Sequence, residues 1–270
     1  MDWVAILSAL GVLGALGLVF GLVLGLVGKK FAVETDERVT LVRECLGGAN
    51  CGACGYAGCD AFAEAVVRGD APADGCKPGG TKTAAAIGAI MGVDVSDMVP
   101  KVARVRCNGT CDNAVMRYEY SGIESCRAAA SIAGGPKACH YGCLGFGDCV
   151  ARCAFDAISI SNGIAHVDAD KCTGCGMCES VCPRGVIHLL PRDKTIVVAC
   201  RNREIGKTAR QQCKTACVGC KRCERNCPSD AIHVEDGVAV IDETKCTRCG
   251  ACVAGCPMHC IQNFYEGAQG

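Results

Sequence analysis

Near its carboxy end the chain carries one cysteine spacing twice: Cys217-x2-Cys220-x2-Cys223-x3-Cys227-Pro228 and Cys246-x2-Cys249-x2-Cys252-x3-Cys256-Pro257. Four thiols in eleven residues leave no room for a long helix or strand between them, so each run must curl around whatever its sulfurs bind. With 27 cysteines in 270 residues, that requirement dominates the whole sequence. An odd count cannot be fully paired as disulfides, and a chain this long is past the size at which bridges must replace a missing core. Large apolar side chains are few, with 6 Phe, 5 Tyr and 1 Trp, and 35 glycines add no core. Several small units held by bound metal fit this composition better than one broad core. Lys+Arg 28 against Asp+Glu 28 leaves a formal charge of +0, which removes the basic excess that draws nucleic acid or an anionic lipid surface.

The spacing is that of the bacterial two-cluster iron–sulfur run, in which three close cysteines wrap one cubane and the fourth reaches across to the other. It predicts one [4Fe-4S] cluster on Cys217, Cys220, Cys223 and Cys256, and a second on Cys246, Cys249, Cys252 and Cys227. Zinc ribbons use two separated pairs instead. Subtracting 74 from Cys200, Cys213, Cys217, Cys223, Cys227, Cys246, Cys249, Cys252 and Cys256 gives Cys126, Cys139, Cys143, Cys149, Cys153, Cys172, Cys175, Cys178 and Cys182, so the two-cluster module is duplicated. Short β-runs around Asn162-Gly163 and Asp236-Gly237 repeat with it. The copies differ at two places: Phe146 stands where the second has Cys220, and Ala154 where it has Pro228. Cys153, Cys172, Cys175 and Cys178 form a complete set. Cys143, Cys149 and Cys182 lack a fourth ligand, for which Cys139 is the expected choice, with a three-iron cluster or a non-cysteine ligand as the alternatives.

A different arrangement, Cys51-x2-Cys54-x4-Cys59-x16-Cys76, comes earlier among Gly47, Gly48, Gly52, Gly55 and Gly58. Glycine permits tight turns whose N–H groups point at sulfur. Asp60 to Arg68 reads as a short amphipathic helix carrying the chain from Cys59 towards Cys76, and Thr83–Met91 as an Ala-rich helix before a linker, Gly92–Pro100. This site suits a fifth cubane, with four-cysteine zinc as its rival. Of the seven cysteines left, four of Cys107, Cys111, Cys126, Cys200 and Cys213 are expected to complete a sixth cluster. Cys45 and Cys260 have no partner in the pattern and read as ordinary thiols.

From Trp3 to Gly28 run 26 residues without a charge, enough helix to cross a hydrocarbon layer of roughly 30 Å with some tilt. The start, Met1-Asp2-Trp3, lacks the positive region of a signal peptide and no small-residue cleavage site follows. Lys29 and Lys30 follow the run and Asp2 precedes it, which places the rest of the chain in the cytoplasm. There, reducing conditions keep thiols free for metal. Gly17, Gly21 and Gly25 lie four apart, a spacing that lets another helix approach. The expected architecture is α+β: a transmembrane anchor (1–28), a juxtamembrane linker (29–36), a small helical 4Fe-4S domain (37–92), a connecting segment with extra cysteines (93–135), and two tandem 2[4Fe-4S] ferredoxin-like modules (136–192 and 193–270).

Two segments carry a closer likeness. Leu46-Gly47-Gly48-Ala49-Asn50-Cys51-Gly52-Ala53-Cys54-Gly55-Tyr56-Ala57-Gly58-Cys59 after a single amino-terminal membrane helix, and Gly134-Gly135-Pro136-Lys137-Ala138-Cys139-His140-Tyr141-Gly142-Cys143-Leu144-Gly145, closely resemble the B subunit of the Rnf complex. The resemblance covers essentially the whole chain and matches the long form with two ferredoxin-like modules. It implies an electron-transfer subunit of a membrane-bound ferredoxin:NAD⁺ oxidoreductase that couples electron flow to Na⁺ or H⁺ translocation. The implied donor is reduced ferredoxin, the implied partners are the other Rnf subunits, and the implied place is the cell membrane, iron–sulfur domains on the cytoplasmic side. Phe146 and Ala154 depart from the ferredoxin consensus.

The rest of the sequence is compatible with a carrier of electrons alone. No G-x-G-x-x-G follows a strand, and His140, His166, His188, His233 and His259 show no paired spacing. Nothing resembles a nucleophile elbow or a catalytic Cys-His pair. No catalytic residues and no nucleotide-binding residues are expected. Arg152, Arg184, Lys221 and Arg248 flank cysteines, where they set cluster potentials, dock an acidic ferredoxin at the carboxy-terminal module, or serve as plain surface charge. The alternative function is a membrane-anchored polyferredoxin wiring another reductase or hydrogenase.

Overall fold

The computed structural model describes residues 3–30, 36–95 and 99–264. The expected linker 29–36 falls mostly outside them, as do Met1-Asp2, part of the linker Gly92–Pro100, and the tail 265–270.

Helix α1 (Trp3–Lys30) extends about 42 Å at 1.5 Å per residue. No part of its apolar stretch Leu10–Val27 is covered by the other described residues. Such a surface is costly in water and suits hydrocarbon. Gly14, Gly17, Gly21 and Gly25 have open space beside them, so none of the described residues packs on that stripe.

Three helices then build the first domain after the anchor. In α2 (Glu37–Cys45) the Asp36 carboxylate caps the first turn by accepting from the Arg38 N–H. Helix α3 (Cys59–Arg68) stops at Gly69, whose φ of 82° is the left-handed C-cap that glycine adopts cheaply. Helix α4 (Gly80–Met91) begins after a 3₁₀ turn, Lys77–Gly79, three residues earlier than the expected start, and ends likewise on Gly92. Phe62, Val42 and Ile87 are fully buried between these helices, and Cys54, Cys59 and Cys76 pack on the same small core. An ion pair, Arg43 Nε to Asp60 Oδ1 at 2.6 Å, ties α2 to α3 from the exposed side.

The remainder is two copies of one unit with the element order β-α-α-β-β-α-β. The first contains β1 (Lys101–Val105), α5 (Cys126–Ser131), α6 (Asp148–Ala151), β2 (Ile158–Ser161), β3 (Ile164–Val167), α7 (Met177–Val181) and β4 (Ile187–Pro191). The second contains β5 (Ile196–Val198), α8 (Gly206–Gln212), α9 (Arg222–Arg225), β6 (Ile232–Glu235), β7 (Val238–Ile241), α10 (Ala251–Gly255) and β8 (Ile261–Asn263). Each has two antiparallel ribbons, β1–β4 with β2–β3 and β5–β8 with β6–β7. The inner hairpins turn through Asn162-Gly163 (φ 46° and 73°) and Asp236-Gly237 (φ 47° and 82°), both residues left-handed as a two-residue turn requires. Short strands alone bury little; cysteines make up much of what is enclosed in both module cores.

Strand β1 lies within the segment 93–135 yet pairs with β4, so in space the first module begins before residue 136. The same pairing corrects the repeat. Arg106 N–H donates to Val186 O and Ala199 N–H to Cys260 O, which aligns Cys107, not Cys126, with Cys200. The 74-residue offset holds from Cys139 and Cys213 onward. Upstream of them the first copy carries 19 extra residues (32 from Cys107 to Cys139 against 13 from Cys200 to Cys213), and Cys126 lies in that insertion.

Truncating the most enclosed aromatic of the first domain tests how it is held. Phe62→Ala is expected to cost about 3–5 kcal/mol and to lower the thermal midpoint of that domain, followed by circular dichroism on the holo chain.

Candidate metal centres

All four cysteine loops of the two modules share one backbone shape. Two residues after the leading cysteine comes a left-handed residue, and two further on comes another: Gly145 and Gly147 (φ 81° and 84°), Gly174 and Gly176 (69° and 82°), Gly219 and Lys221 (69° and 56°), Arg248 and Gly250 (61° and 77°). Alternation of this kind turns successive N–H groups inward to form a concavity suited to an anionic group. A helix of one turn then starts and presents the third cysteine: Cys149 in α6, Cys178 in α7, Cys223 in α9 and Cys252 in α10. The first loop keeps the shape although Phe146 has replaced its second cysteine. A Cβ on Gly145 would collide with the Gly163 carbonyl, so glycine is obligatory there.

In the second module the loops enclose two hollows. Cys217, Cys220, Cys223 and Cys256 line one. Cys227, Cys246, Cys249 and Cys252 line the other. Both sets are those the spacing predicts. Burial pushes the Cys223 and Cys252 thiols up to about 11, and neighbouring thiols add to the effect. Cys260, expected to be a bystander, lines the first hollow as a fifth sulfur, 3.5 Å from Cys256 Sγ. Hydrogen bonding to Cys260 draws Cys256 down to about 5 and Cys217 to about 6, and the same contacts raise Cys260 itself. Position 186 is the first module's counterpart of Cys260 and holds a buried valine.

In the first module, Cys178 is pushed up to about 12 by burial and then by Cys172 and Cys175, which places these three together. Cys153 and Cys172 pack on the same core. Cys149 is likewise raised to about 12, by burial first and next by Cys126 and Cys182. The insertion therefore delivers Cys126 to the place expected of Cys139. Asp148, beside Cys149, holds it there: its carboxylate accepts from the Cys126 N–H at 3.0 Å, the Arg127 N–H at 3.0 Å and the Ser125 hydroxyl at 3.1 Å. Phe146 packs on the small cluster of Cys126, Ala129 and Leu144 and lies 5.1 Å, ring to ring, from Tyr120 of the insertion. The aromatic ring that displaced a ligand is thus part of the platform for the substitute.

Cys139 lies elsewhere. With Cys107, Cys200 and Cys213 it lines a third hollow whose walls come from both modules. The two halves mirror one another: Cys107 Sγ accepts from the Gly109 and Cys143 N–H groups, both at 3.3 Å, and Cys200 Sγ from Asn202 at 3.4 Å and Cys217 at 3.3 Å. Burial pushes Cys107 up, opposed by those N–H donors and by the ammonium of Lys137. Of the five cysteines expected to supply a sixth site, Cys107, Cys200 and Cys213 meet here and Cys126 does not. Cys111 is exposed, its N–H bonded to Asn162 O at the tip of the first hairpin.

In the amino-terminal domain, burial raises Cys76, and Cys59, Cys54 and Cys51 are the thiols that act on it. The approach is shaped by left-handed Gly48, Gly52 and Gly55, and by Asn50, whose side-chain oxygen accepts from the Cys59 N–H at 2.8 Å. Gly58 leaves room for that oxygen, since a Cβ there would lie 3.1 Å from it. Cys45 ends α2 and packs half-buried on the domain core.

Among the described residues, no three His, Cys, Asp or Glu side chains converge as ligands of a single metal ion. In three places four cysteines line a common hollow instead, spread as the ligands of a cluster of several atoms are and not drawn in around one tetrahedral zinc. The flanking basic residues divide. Lys221 and Arg248 sit beside the exposed Cys220 and Cys249, with Arg248 also 3.6 Å from Asp193. Arg184 is no docking residue: it is spent on the backbone carbonyls of His140 and Gly134, holding the end of the insertion.

Comparison with known proteins agrees with this geometry. An Fe-S cluster model matches residues 46–78, a 4Fe-4S binding domain residues 165–188, and a 4Fe-4S dicluster domain residues 209–257. The chain is 49% identical to the B subunit of the Na⁺-translocating ferredoxin:NAD⁺ oxidoreductase complex of Acetobacterium woodii, over 97% of this chain and 79% of the relative. It is 44% identical to the B subunit of the proton-translocating complex of Clostridium ljungdahlii, over 97% and 94%, and 40% identical to that of the ion-translocating oxidoreductase complex of Methanosarcina acetivorans, over 95% and 98%. With identity of this level along nearly the full length of several relatives, the chain belongs to the family of Rnf complex B subunits, in its long form with two ferredoxin-type modules, and is an electron-transfer subunit of an ion-translocating ferredoxin:NAD⁺ oxidoreductase.

Proposed function

We propose that this electron-transfer subunit takes electrons from reduced ferredoxin and passes them towards the membrane through six [4Fe-4S] clusters. The ligand sets are Cys51, Cys54, Cys59 and Cys76; Cys107, Cys139, Cys200 and Cys213; Cys126, Cys143, Cys149 and Cys182; Cys153, Cys172, Cys175 and Cys178; Cys217, Cys220, Cys223 and Cys256; and Cys227, Cys246, Cys249 and Cys252. Cys45, Cys111 and Cys260 are left over, which accounts for all 27. When bound, the clusters supply one-electron storage at potentials set by burial, charge and hydrogen bonds to sulfur.

The observation that carries this reading is the hollow shared by both modules. Had each module kept its sites to itself, the chain would be two ferredoxins on a string. Instead Cys217 N–H donates to Cys200 Sγ, and Cys143 N–H to Cys107 Sγ, so a ligand of each module is one hydrogen bond from a ligand of the shared site. The same continuity favours a dedicated relay over a loosely wired polyferredoxin. Lys29 and Lys30 at the end of α1 support a relay on the cytoplasmic face, in reach of soluble ferredoxin. Relatives named for sodium and for protons align along nearly all of this chain, which favours a coupling ion chosen elsewhere in the complex.

Iron and acid-labile sulfide in the anaerobically purified full chain should each approach about 24, four per cubane. Cys126→Ser should lose one cubane or reduce it to a three-iron cluster, seen by electron paramagnetic resonance. Adding Phe146→Cys should restore it, because the loop around position 146 already has ligand-bearing shape; no restoration would place the fourth ligand elsewhere.

Charge reversal at the carboxy-terminal module tests the donor. Lys221→Glu with Arg248→Glu should slow oxidation of reduced ferredoxin by about tenfold at low ionic strength, with the difference closing as salt rises. Unchanged rate and salt dependence would move the docking surface away from these residues.

A further inference from the structure

The shared hollow has a buried cation that no carboxylate answers. Lys137 is 3% exposed, and its Nζ donates to Gly109 O at 2.7 Å and Gly163 O at 2.8 Å. Both acceptors are neutral. The walls of the hollow include Lys137 and four cysteines but no Asp or Glu. Taking an ammonium out of water is expensive, and two carbonyls recover only part of that cost, so a buried lysine calls for an anion nearby. The position 74 residues on, Gln211, is exposed and neutral; the second half of the hollow contributes Arg201 instead, whose guanidinium donates to the backbone carbonyls of Arg184 and Gly185. The ammonium acts on the thiols of Cys107 and of Cys143, the ligands proposed for two neighbouring centres.

We propose that Lys137 is the fixed counter-cation of the centre held by Cys107, Cys139, Cys200 and Cys213, a positioning residue that raises that centre's reduction potential and makes it the step joining the two modules. The proposal rests on the six-centre assignment above. Reduction of an iron–sulfur centre adds one negative charge, and a positive charge held beside a ligand favours the reduced form. The backbone carbonyls set where that charge sits. Gly109 comes two residues after Cys107, and Gly163 closes the first hairpin, so the lysine also ties the hairpin tip to the cysteine it serves.

The test uses the full-length chain, purified anaerobically, in wild-type, Lys137→Gln and Lys137→Arg forms, with iron and sulfide counts and a redox titration followed by electron paramagnetic resonance. Lys137→Gln should keep its iron, and one centre should show a roughly tenfold lower reduced-to-oxidised ratio at fixed potential, a 59 mV downward shift for one electron. Lys137→Arg, which keeps the charge, should leave that ratio within about threefold. Loss of iron from Lys137→Gln but not from Lys137→Arg would show charge holding the centre together and would also support the assignment. Full iron with unmoved midpoints in Lys137→Gln would overturn it. So would equal shifts, or equal loss of iron, in both variants, since shape and not charge would then be at work. A wild-type count near 20 irons, five cubanes, would refute the shared centre itself before any variant is compared.

Discussion

In the second module and at its junction with the first, the chain is arranged so that four sulfurs face one hollow at once. Thiolates repel one another and are costly to bury, and Cys143, Cys149, Cys178 and Cys200 are each pushed up to about 12, by burial above all. A bound cluster reverses that balance, because its iron takes the place of the protons. Much of the free energy that organises these small modules therefore comes from ligation. Their strands are three to five residues long and their helices often a single turn, too little to be stable alone.

That dependence explains the use of backbone strain. Two left-handed residues per loop aim N–H groups into the concavity, and at Lys221 and Arg248 the chain accepts non-glycine residues there, at about 1–2 kcal/mol each. Those two positions flank the exposed Cys220 and Cys249, where a basic side chain has a use at the surface. At Gly145 the hairpin glycine Gly163 comes too close for any side chain, and at Gly219 its counterpart Gly237 leaves little room. Function sets the residue in one case and sterics in the other.

The parts of the site that could be read from sequence were those with fixed local spacing. Runs of C-x2-C-x2-C-x3-C define their own loops, so the two hollows of the second module and the hairpins at Asn162-Gly163 and Asp236-Gly237 follow from short-range geometry. The shared hollow draws one ligand from each of four separate segments, and no spacing rule links Cys107 to Cys213. An arithmetic coincidence also misled. Cys126 lies 74 residues before Cys200 yet belongs to an insertion, and only the strand pairing of β1 with β4 and β5 with β8 shows that Cys107 is the true counterpart. Phe146 was the one local hint, since a missing ligand in an intact loop requires a substitute from outside it. Lys137 gave no signal, because nothing in its neighbours along the chain marks it as buried.

Duplication and insertion together account for the asymmetry. Two copies of one module, meeting through equivalent faces, bring Cys107 with Cys139 opposite Cys200 with Cys213 and create a site that neither copy has alone. Such a site is symmetric by construction, so its two halves would bind and tune a cluster equally. The 19-residue insertion breaks that equality on one side only, and the cations the two halves contribute differ, Lys137 from the first and Arg201 from the second. Asp148 turns to cap α5, Cys126 takes over from the lost ligand at 146, and Lys137, six residues before Cys143, is buried where Gln211 stays in solvent. A symmetric relay has no reason to favour either end. On our proposal, a buried ammonium and one rebuilt centre in the module that follows the amino-terminal domain in sequence make the two ends of the relay unequal.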